Sequence, residues 1–454
     1  MSARAAAESR DHHKSLIKRP ILVDTTPALG SGPQVATTPK PWPSVRAAAS
    51  MGTAATAEAA SNRPSSTRRM SPTAAFYLKT SIAVSFLAGS SAPTPLYPLY
   101  QAEWGFSSIV MTIVFGIYAL AVLSALLVVG RLSDHVGRRP VLLVATFAQA
   151  ATMLVFATAS GVPSLMIARV IQGLATGAAL AAVGAGLLDL DKTRGATANA
   201  IAPMSGTATG AILAGFLVQY FPAPTHLVYL ILGAVYVAQG IGVVFMNESG
   251  TPREGALASL KPQFSLPARV RDPMLRALPA LVATWALAGF YAGLGPTLVR
   301  GLLGTSSALV GGLTLFVLAG SGGISVLLLQ KHEPHRMTSI GAIGLLAGVA
   351  IAIAGLSHHS AATFFVGTAL SGAGFGGAFQ GAVRHVVTHA APPERAGVLS
   401  VAFVVSYLAM GLPAIGAGYL IARYGNLLAT AREFAAVVMI LAALALLGAL
   451  LRQK

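Results

Sequence analysis

Twelve apolar runs of membrane-spanning length alternate with short polar breaks along this chain. They fall near 75–100, 107–129, 140–159, 162–188, 196–220 and 226–246, then near 277–300, 307–329, 337–356, 361–388, 396–422 and 433–451. Each is long enough to cross a bilayer core as a helix, which takes about 20 apolar residues. The longest polar stretch between them, Asn247–Arg276, carries Arg253, Lys261, Arg269, Arg271 and Arg276 among several prolines and divides the runs six and six. The pattern predicts an all-α integral membrane protein of twelve transmembrane helices in two six-helix halves, 71–246 and 277–454, joined by a linker over 247–276. Residues 1–70 are rich in Ala, Ser, Pro, Thr and Arg and contain no apolar run, so they read as a disordered basic tail. Met51 and Met70 within it are candidate alternative translation starts; a true cytoplasmic tail that attracts anionic lipid is the equal alternative.

The halves read as a degenerate repeat. Arg194-Gly195 aligns with Arg395-Ala396, and Gly210–Gly215 with Gly411–Gly416. Gly173 aligns with Gly374, and Pro93-Thr94 with Pro296-Thr297. A repeat of this kind places a substrate site at the interface of the halves, near the bilayer midplane.

Composition agrees with the pattern. Hydrophobic residues make up 54% of the chain and charged residues 10%, with mean hydropathy +0.69. Soluble domains carry about 25% charged residues, so the bilayer is the solvent for most of this chain. The net charge of +17 invites a nucleic-acid reading, but its distribution excludes one. Apart from Arg300, Arg423, Arg432 and Arg169, the Lys and Arg beyond the tail fall at one end of the proposed topology. That asymmetry is the positive-inside pattern and puts both termini in the cytoplasm. With no cysteine, disulfides and thiolate metal sites are excluded. No phosphate-cradling Gly-x-x-x-x-Gly-Lys-Ser/Thr loop occurs, which disfavours an ATP-driven pump. Nothing in the sequence calls for a cofactor or a metal.

The densest chemistry lies in Gly130-Arg-Leu-Ser-Asp-His-Val-Gly-Arg-Arg139, between the second and third runs. Two helices joined by so short a loop form an antiparallel hairpin. Its glycines permit a tight turn, and Asp134 and Arg138 are placed to pair with each other or with nearby helix ends. Gly130, Leu132, Asp134, Gly137, Arg138 and Arg139 resemble the signature loop of the major facilitator superfamily of secondary transporters; His135 stands where that family usually has Arg or Lys. The resemblance covers about residues 70–454 and implies transport by alternating access. It also implies that Asp189, at the end of the fourth run, pairs with Arg138 as a gating ion pair that holds the outward-facing state.

Arg169 reads as the one Lys or Arg well inside an apolar run, and a charge there must face a cavity or a partner. Its context, Arg169-x-x-Gln172-Gly173, resembles the family's fourth-helix motif, whose arginine is implicated in proton coupling; snorkelling to the outer interface is the structural alternative. Gly89, Pro95 and Pro98 resemble the first-helix motif of the twelve-helix drug:proton antiporters. Those prolines either kink a helix that lines a cavity or let it unwind at the outer surface. The fifth run carries Gly206, Gly210 and Gly215, but Ala211 and Ala214 replace a proline and a glycine of the antiporter motif, and packing is the expected role. No carboxylate falls at a helix centre: Glu103, Asp189 and Asp191 are all at ends. His385 and His389, near the inner end of the tenth run, are of a type that can titrate, but a solvated helix-end role is the expected one. Tyr118, Trp285, Phe290, Tyr291, Phe375, Gln380 and Tyr407 are candidate cavity-lining residues, suited to an amphiphilic solute rather than a sugar or an organic anion.

The expected function is efflux of a small amphiphilic compound in exchange for protons, by a monomer in a bacterial-type inner membrane. Its partners are the solute, protons and the lipid bilayer, and the protein is not an enzyme. A metabolite importer or facilitator of the same fold, and a non-transporting receptor or scaffold, are the alternatives.

Overall fold

The computed structural model describes residues 70–451, positions 252 and 263 and the side chain of residue 303 excepted. The tail expected over 1–70, with Met51, lies outside the described residues save for Met70. The elements are helical throughout: α1 (Pro72–Ser91), α2 (Tyr97–Trp104), α3 (Ser108–Val128), α4 (Leu132–Val136), α5 (Arg138–Ala157), α6 (Val162–Leu190), α7 (Lys192–Tyr220), α8 (Pro224–Val244), α9 (Ala256–Ser259), α10 (Ala268–Leu303), α11 (Ala308–Leu329), α12 (Pro334–Ser357), α13 (Ala361–Thr388), α14 (Arg395–Tyr424) and α15 (Leu427–Leu450). Twelve of them are long. Eleven of those are long and apolar enough to cross a membrane. The exception, α1, carries Lys79 and is cut short by prolines.

Local chemistry sets the boundaries. Ser71, Ser360 and Asn426 cap α1, α13 and α15 by accepting backbone N–H donors. Asp191 caps α7, its carboxylate accepting from Thr193 and Arg194 at 2.9 Å each. Gly105, Gly304 and Gly425 close α2, α10 and α14 at φ of 66° to 68°.

Two boundaries differ from the sequence reading. The first run is not one helix: it breaks after Ser91, passes through a 3₁₀ turn over Thr94–Leu96 and resumes as α2. The seventh helix starts at Ala268, inside the stretch read as linker. Val270, Met274 and Ala277 are buried on one stripe while Arg269, Arg271 and Arg276 are exposed. The arginines thus mark the wet face of an amphipathic extension rather than a loop.

The halves meet through α3 against α14 and α7 against α11. Small residues permit the approach. A side chain at Gly312 would meet the Ala211 carbonyl, and one at Gly215 the Ala308 carbonyl. Hydrogen bonds cross between halves at the end away from the Gly130–Arg139 loop: Ala308 N to Gln219 Oε1 at 3.1 Å, and Arg300 Nη1 to the Pro98 carbonyl at 3.4 Å. Large apolar side chains are exposed on the flanking helices, among them Val144 and Leu154 on α5, Ile241 on α8, Ile343 on α12 and Ile440 on α15. They form the surface that lipid would cover.

The repeat is real but its register is corrected. Gly173 and Gly177 on α6 pack on α3, against Tyr118 O and Val122 O. In the second half, the glycines of α13 that meet the matching helix α11 are Gly372, against Leu318 O, and Gly376, against Gly322 O. Gly374 instead packs on α12. Two residues turn a helix by about 200°, so the match of Gly173 to Gly374 lands on the opposite face. The match of Pro93 to Pro296 also fails structurally, since α10 runs unbroken through Pro296.

Candidate functional site

The signature loop folds as a short helix, α4, between two glycines. Gly137 has φ +99°, where L side chains are strained, and a side chain there would strike Glu248. Arg138 is buried and gathers the loop. Its guanidinium donates to Asp134, to Ser133 Oγ at 2.8 Å and, through Nε, to Asp189 Oδ2 at 3.3 Å. The expected Arg138–Asp189 pair is therefore formed. Asp134, Arg138 and Asp189 all belong to the first half, so the pair does not itself bridge the halves.

A second clasp was missed in the sequence. Glu248, just past α8, accepts from Arg138 N at 2.7 Å, Arg139 N at 3.0 Å, and Ser249 N and Gly250 N at 3.0 Å. A carboxylate thus caps the positive end of α5. Burial alone would raise the Glu248 carboxyl; the backbone donors outweigh it and hold the group below the usual carboxylate range. Arg139 reciprocates at the end of α8, donating to the Val243 carbonyl at 3.2 Å and to the Val244 carbonyl. His135 also has a partner in this segment: its Nδ1 lies 2.9 Å from the Glu254 carbonyl, and Arg253 N donates to the His135 carbonyl. The sequence signal was a Glu in Asn247-Glu-Ser-Gly250, directly after the sixth apolar run.

Arg169 and Gln172 meet the broken first helix. Proline at 93 removes the N–H that would satisfy the Gly89 carbonyl, and Gln172 Nε2 supplies the replacement at 3.0 Å. Arg169 donates to the Ser90 carbonyl at 2.9 Å, to Gln172 Oε1 at 2.7 Å and to Tyr97 OH at 2.5 Å. Its guanidinium carbon lies 5.2 Å from the Tyr118 ring centre and 5.8 Å from that of Phe156. Arg169 is fully buried, so it does not snorkel. The break is internal too: Pro95 and Pro98 are buried, and the Thr94–Leu96 turn that contains Pro95 packs on α7, α10 and α11 rather than unwinding at the surface. Gly89 is needed because a side chain would strike the Tyr236 hydroxyl. Gly206 and Gly210 bring α7 against the Val84 and Ala88 carbonyls of α1, the packing role expected of them.

Arg169 is not the only buried cation. Lys79 on α1 is also fully buried; its Nζ donates to the Gly186 carbonyl at 3.0 Å and to Ser249 Oγ at 2.9 Å. The rule that singled out Arg169, that an intramembrane charge needs a reason, applies equally to it.

The cavity candidates separate into groups. Tyr407, Trp285, Phe379 and Phe375 form a chain of ring contacts, with ring centres 4.9 Å apart for Trp285–Tyr407, 5.5 Å for Trp285–Phe379 and 5.9 Å for Phe375–Phe379. Among the described residues, Trp285 Nε1 and Ser406 Oγ beside Tyr407 have no hydrogen-bond partner. Gln380 is half-buried on the same helix as Phe375. Tyr118 belongs with Arg169 instead. Phe290 stacks on Phe434 of α15 at 4.3 Å, and Tyr291 bonds Thr368 at 3.0 Å, so both are tied within the second half. His385 and His389 pack edge to face at 4.8 Å near the end of α13.

Solved structures share this architecture. A bacterial homologue of the human lysosomal transporter Spinster, inward-facing and unoccupied, superposes with TM-score 0.67 at 14% identity, covering 83% of this chain and 97% of its own. The nucleoside transporter NupG gives TM-score 0.58 at 12% identity, over 83% and 97%. The human organic anion transporter MFSD10 gives 0.59 at 16%, over 82% and 98%. At such identities these likenesses show the fold. No curated protein matches the sequence. The model of the Major Facilitator Superfamily matches residues 80–350, more than half of the chain. With its paired six-helix halves and its Gly130–Arg139 loop, this chain belongs to the major facilitator superfamily and is a multi-pass membrane transporter.

Proposed function

We propose that this transporter exports a small amphiphilic solute in exchange for protons by alternating access, with the signature loop and both termini on the cytoplasmic side. The observation that carries the solute class is the aromatic patch of Tyr407, Trp285, Phe379 and Phe375 on three helices of the second half. It offers flat apolar surface and one unpartnered indole N–H, and none of its members is charged. Such a surface suits an apolar body bearing one hydrogen-bond acceptor. Charged solutes need fixed counter-charges, and the buried cations of the first half, Lys79, Arg138 and Arg169, are already engaged by its own helices and the segment after α8. Orientation follows from the basic residues at the loop end. The direction rests on the likeness of the first-helix motif, Gly89, Pro95 and Pro98, to that of the twelve-helix drug:proton antiporters. The Asp134–Arg138–Asp189 cluster and the Glu248 clasp gate by holding the loop end of the first half rigid, not by bridging to the second half.

The test uses everted membrane vesicles with an imposed pH gradient and a panel of lipophilic cations, antibiotics and metabolites. Solute-evoked proton release supports antiport. Equilibration of a radiolabelled solute without proton release supports a facilitator, the reading favoured by the absence of an acidic residue deep in a described helix.

A further inference from the structure

We propose that Lys79 is the group from which the coupled proton is released to the cytoplasmic side, an assignment that rests on the proton-coupled reading above. A coupling group must change charge, be buried in one state and reach water in the other. Among the described residues, Asp and Glu lie in connecting segments or within about two turns of a helix end, Glu433 being exposed on α15, and Asp189, near the end of α6, is held by Arg138. Arg169 is set aside because a guanidinium does not serve as a proton donor in proteins. Lys79 meets the geometric requirements.

Its Nζ is fully buried, yet it is bonded only to neutral acceptors, Gly186 O at 3.0 Å and Ser249 Oγ at 2.9 Å. No carboxylate lies within ion-pair distance of it among the described residues. A neutral amine can keep both bonds, since each needs only an N–H. Gly186 is fitted to the lysine, because a side chain there would come within 2.7 Å of Nζ. Every element packed around this end of α1 contributes to its surroundings. α6 brings Asp189, the start of α5 brings Arg138, and the segment after α8 brings Glu248. α7 brings Arg194, which lies over the Phe76 ring at 4.9 Å and reaches Tyr77 OH at 3.4 Å. α8 faces α1 with the neutral Gln239, bonded to Ser85 and Ser81.

One of the two acceptors, Ser249, belongs to the segment that runs from the first half to the second. That segment also docks on α4 through His135 and Arg253, and Ser265 further along it meets Gly397 on α14. A rocking of the halves that lifts Ser249 uncovers Nζ to the cytoplasmic side. There the ammonium gives its proton to water: the N–H bond breaks, the lone pair stays on nitrogen, and the site loses one positive charge. Without that charge the pull on Asp189 and Glu248 is lost, so protonation and the seating of the segment bias one another.

Because the chain has no cysteine, two can be introduced alone for spin labels. Thr193→Cys on α7 and Lys331→Cys after α11 place exposed labels on the two halves at the loop end. The full chain in nanodiscs is read by pulsed EPR across pH 5.5 to 9.5. The expected result is two distance populations whose ratio shifts with pH. That shift should be lost in Lys79→Met and in Lys79→Arg, each fixed in an opposite population. A ratio insensitive to pH in the parent, or a shift that survives in Lys79→Met, overturns the proposal. If Lys79→Met does not fold, Ser249→Ala serves: loss of an acceptor disfavours the ammonium, so the midpoint should move to lower pH, and an unmoved midpoint overturns the assignment. Vesicles separate this failure from that of the coupling reading. Solute-evoked proton release that persists in Lys79→Met removes Lys79 and leaves antiport standing, whereas no release in the parent removes the coupling itself.

Discussion

Gln172 donates its amide N–H to the carbonyl of Gly89 at 3.0 Å, and that carbonyl is the one left without a helical donor by the proline at 93. The bond explains why a polar amide is buried between α6 and α1 and why it stands beside Arg169, which satisfies the next carbonyl, Ser90. A helix broken inside a bilayer must have its freed backbone groups met by neighbouring side chains.

Gln172→Leu should therefore destabilise the protein. An orphaned buried carbonyl costs about 1–3 kcal/mol, lowered toward about 1 kcal/mol by the usual weakness of side-chain bonds in membrane proteins. Thermal unfolding in detergent should show a drop of a few degrees. An unchanged midpoint would mean that the Gly89 carbonyl finds another donor. Arg169→Lys should cost more than Gln172→Leu, because a single ammonium cannot reach Ser90, Gln172 and Tyr97 together in the fork geometry of a guanidinium.

The Asp134–Arg138–Asp189 cluster predicts coupling between its carboxylates. Asp134→Asn and Asp189→Asn should each slow transport of the solute found in the vesicle panel while leaving the protein in the membrane. Because both act through Arg138, the double variant should be no worse than about the worse single one. Additive losses would show that the two acids work separately.

Close approach by glycine gives a stability contrast. A methyl at Gly376 would strike the Gly322 carbonyl, whereas one at Gly320 meets nothing within 4 Å. Gly376→Ala should destabilise by about 1–3 kcal/mol through overpacking, and Gly320→Ala should be neutral or slightly stabilising. Unfolding midpoints of the two variants decide it; equal values would remove the α11–α13 contact as the reason for Gly376.

Periodicity and charge made the architecture legible, because runs of bilayer length and a one-sided basic bias are written residue by residue. The family resemblance implied the Arg138–Asp189 pair, and a charge inside an apolar run has few options, which left Arg169 either buried or snorkelling until the fold decided it. What it hid depends on contacts between segments distant in the chain. Glu248 looks like an ordinary acid at the start of the linker until α8 delivers it to the end of α5. Lys79 was passed over because it lies within eight residues of the start of α1, where a lysine usually reaches water, and only the packing of Gly186 and Ser249 over it closes that route. The α10 extension was hidden because Arg269, Arg271 and Arg276 outweighed the weaker stripe of Val270, Met274 and Ala277. Phe290 and Tyr291 were indistinguishable from Trp285 by residue type; the direction of each side chain on α10 separates them.

Glu248 supplies the pH dependence. Its folded carboxyl titrates below the ordinary value of 4.5, so the clasp contributes stability that is fully present above that value. The contribution is lost as pH falls from 4.5 toward the lower folded value, because protonation removes the acceptor charge shared by Arg138 N and Arg139 N. Unfolding midpoints measured from pH 7 to pH 3.5 should fall at the acid end for the parent, with part of that fall absent in Glu248→Gln. At pH 7 the Gln variant should already be less stable, since an amide offers one acceptor oxygen where the carboxylate uses two, at 2.7 Å and 3.0 Å. Gly137 should respond in the same assay: Gly137→Ala both strains a backbone at φ +99° and pushes Glu248 aside. Parallel pH profiles for the parent and Glu248→Gln would show that other carboxylates set the acid limit and that the clasp is not a stabilising element.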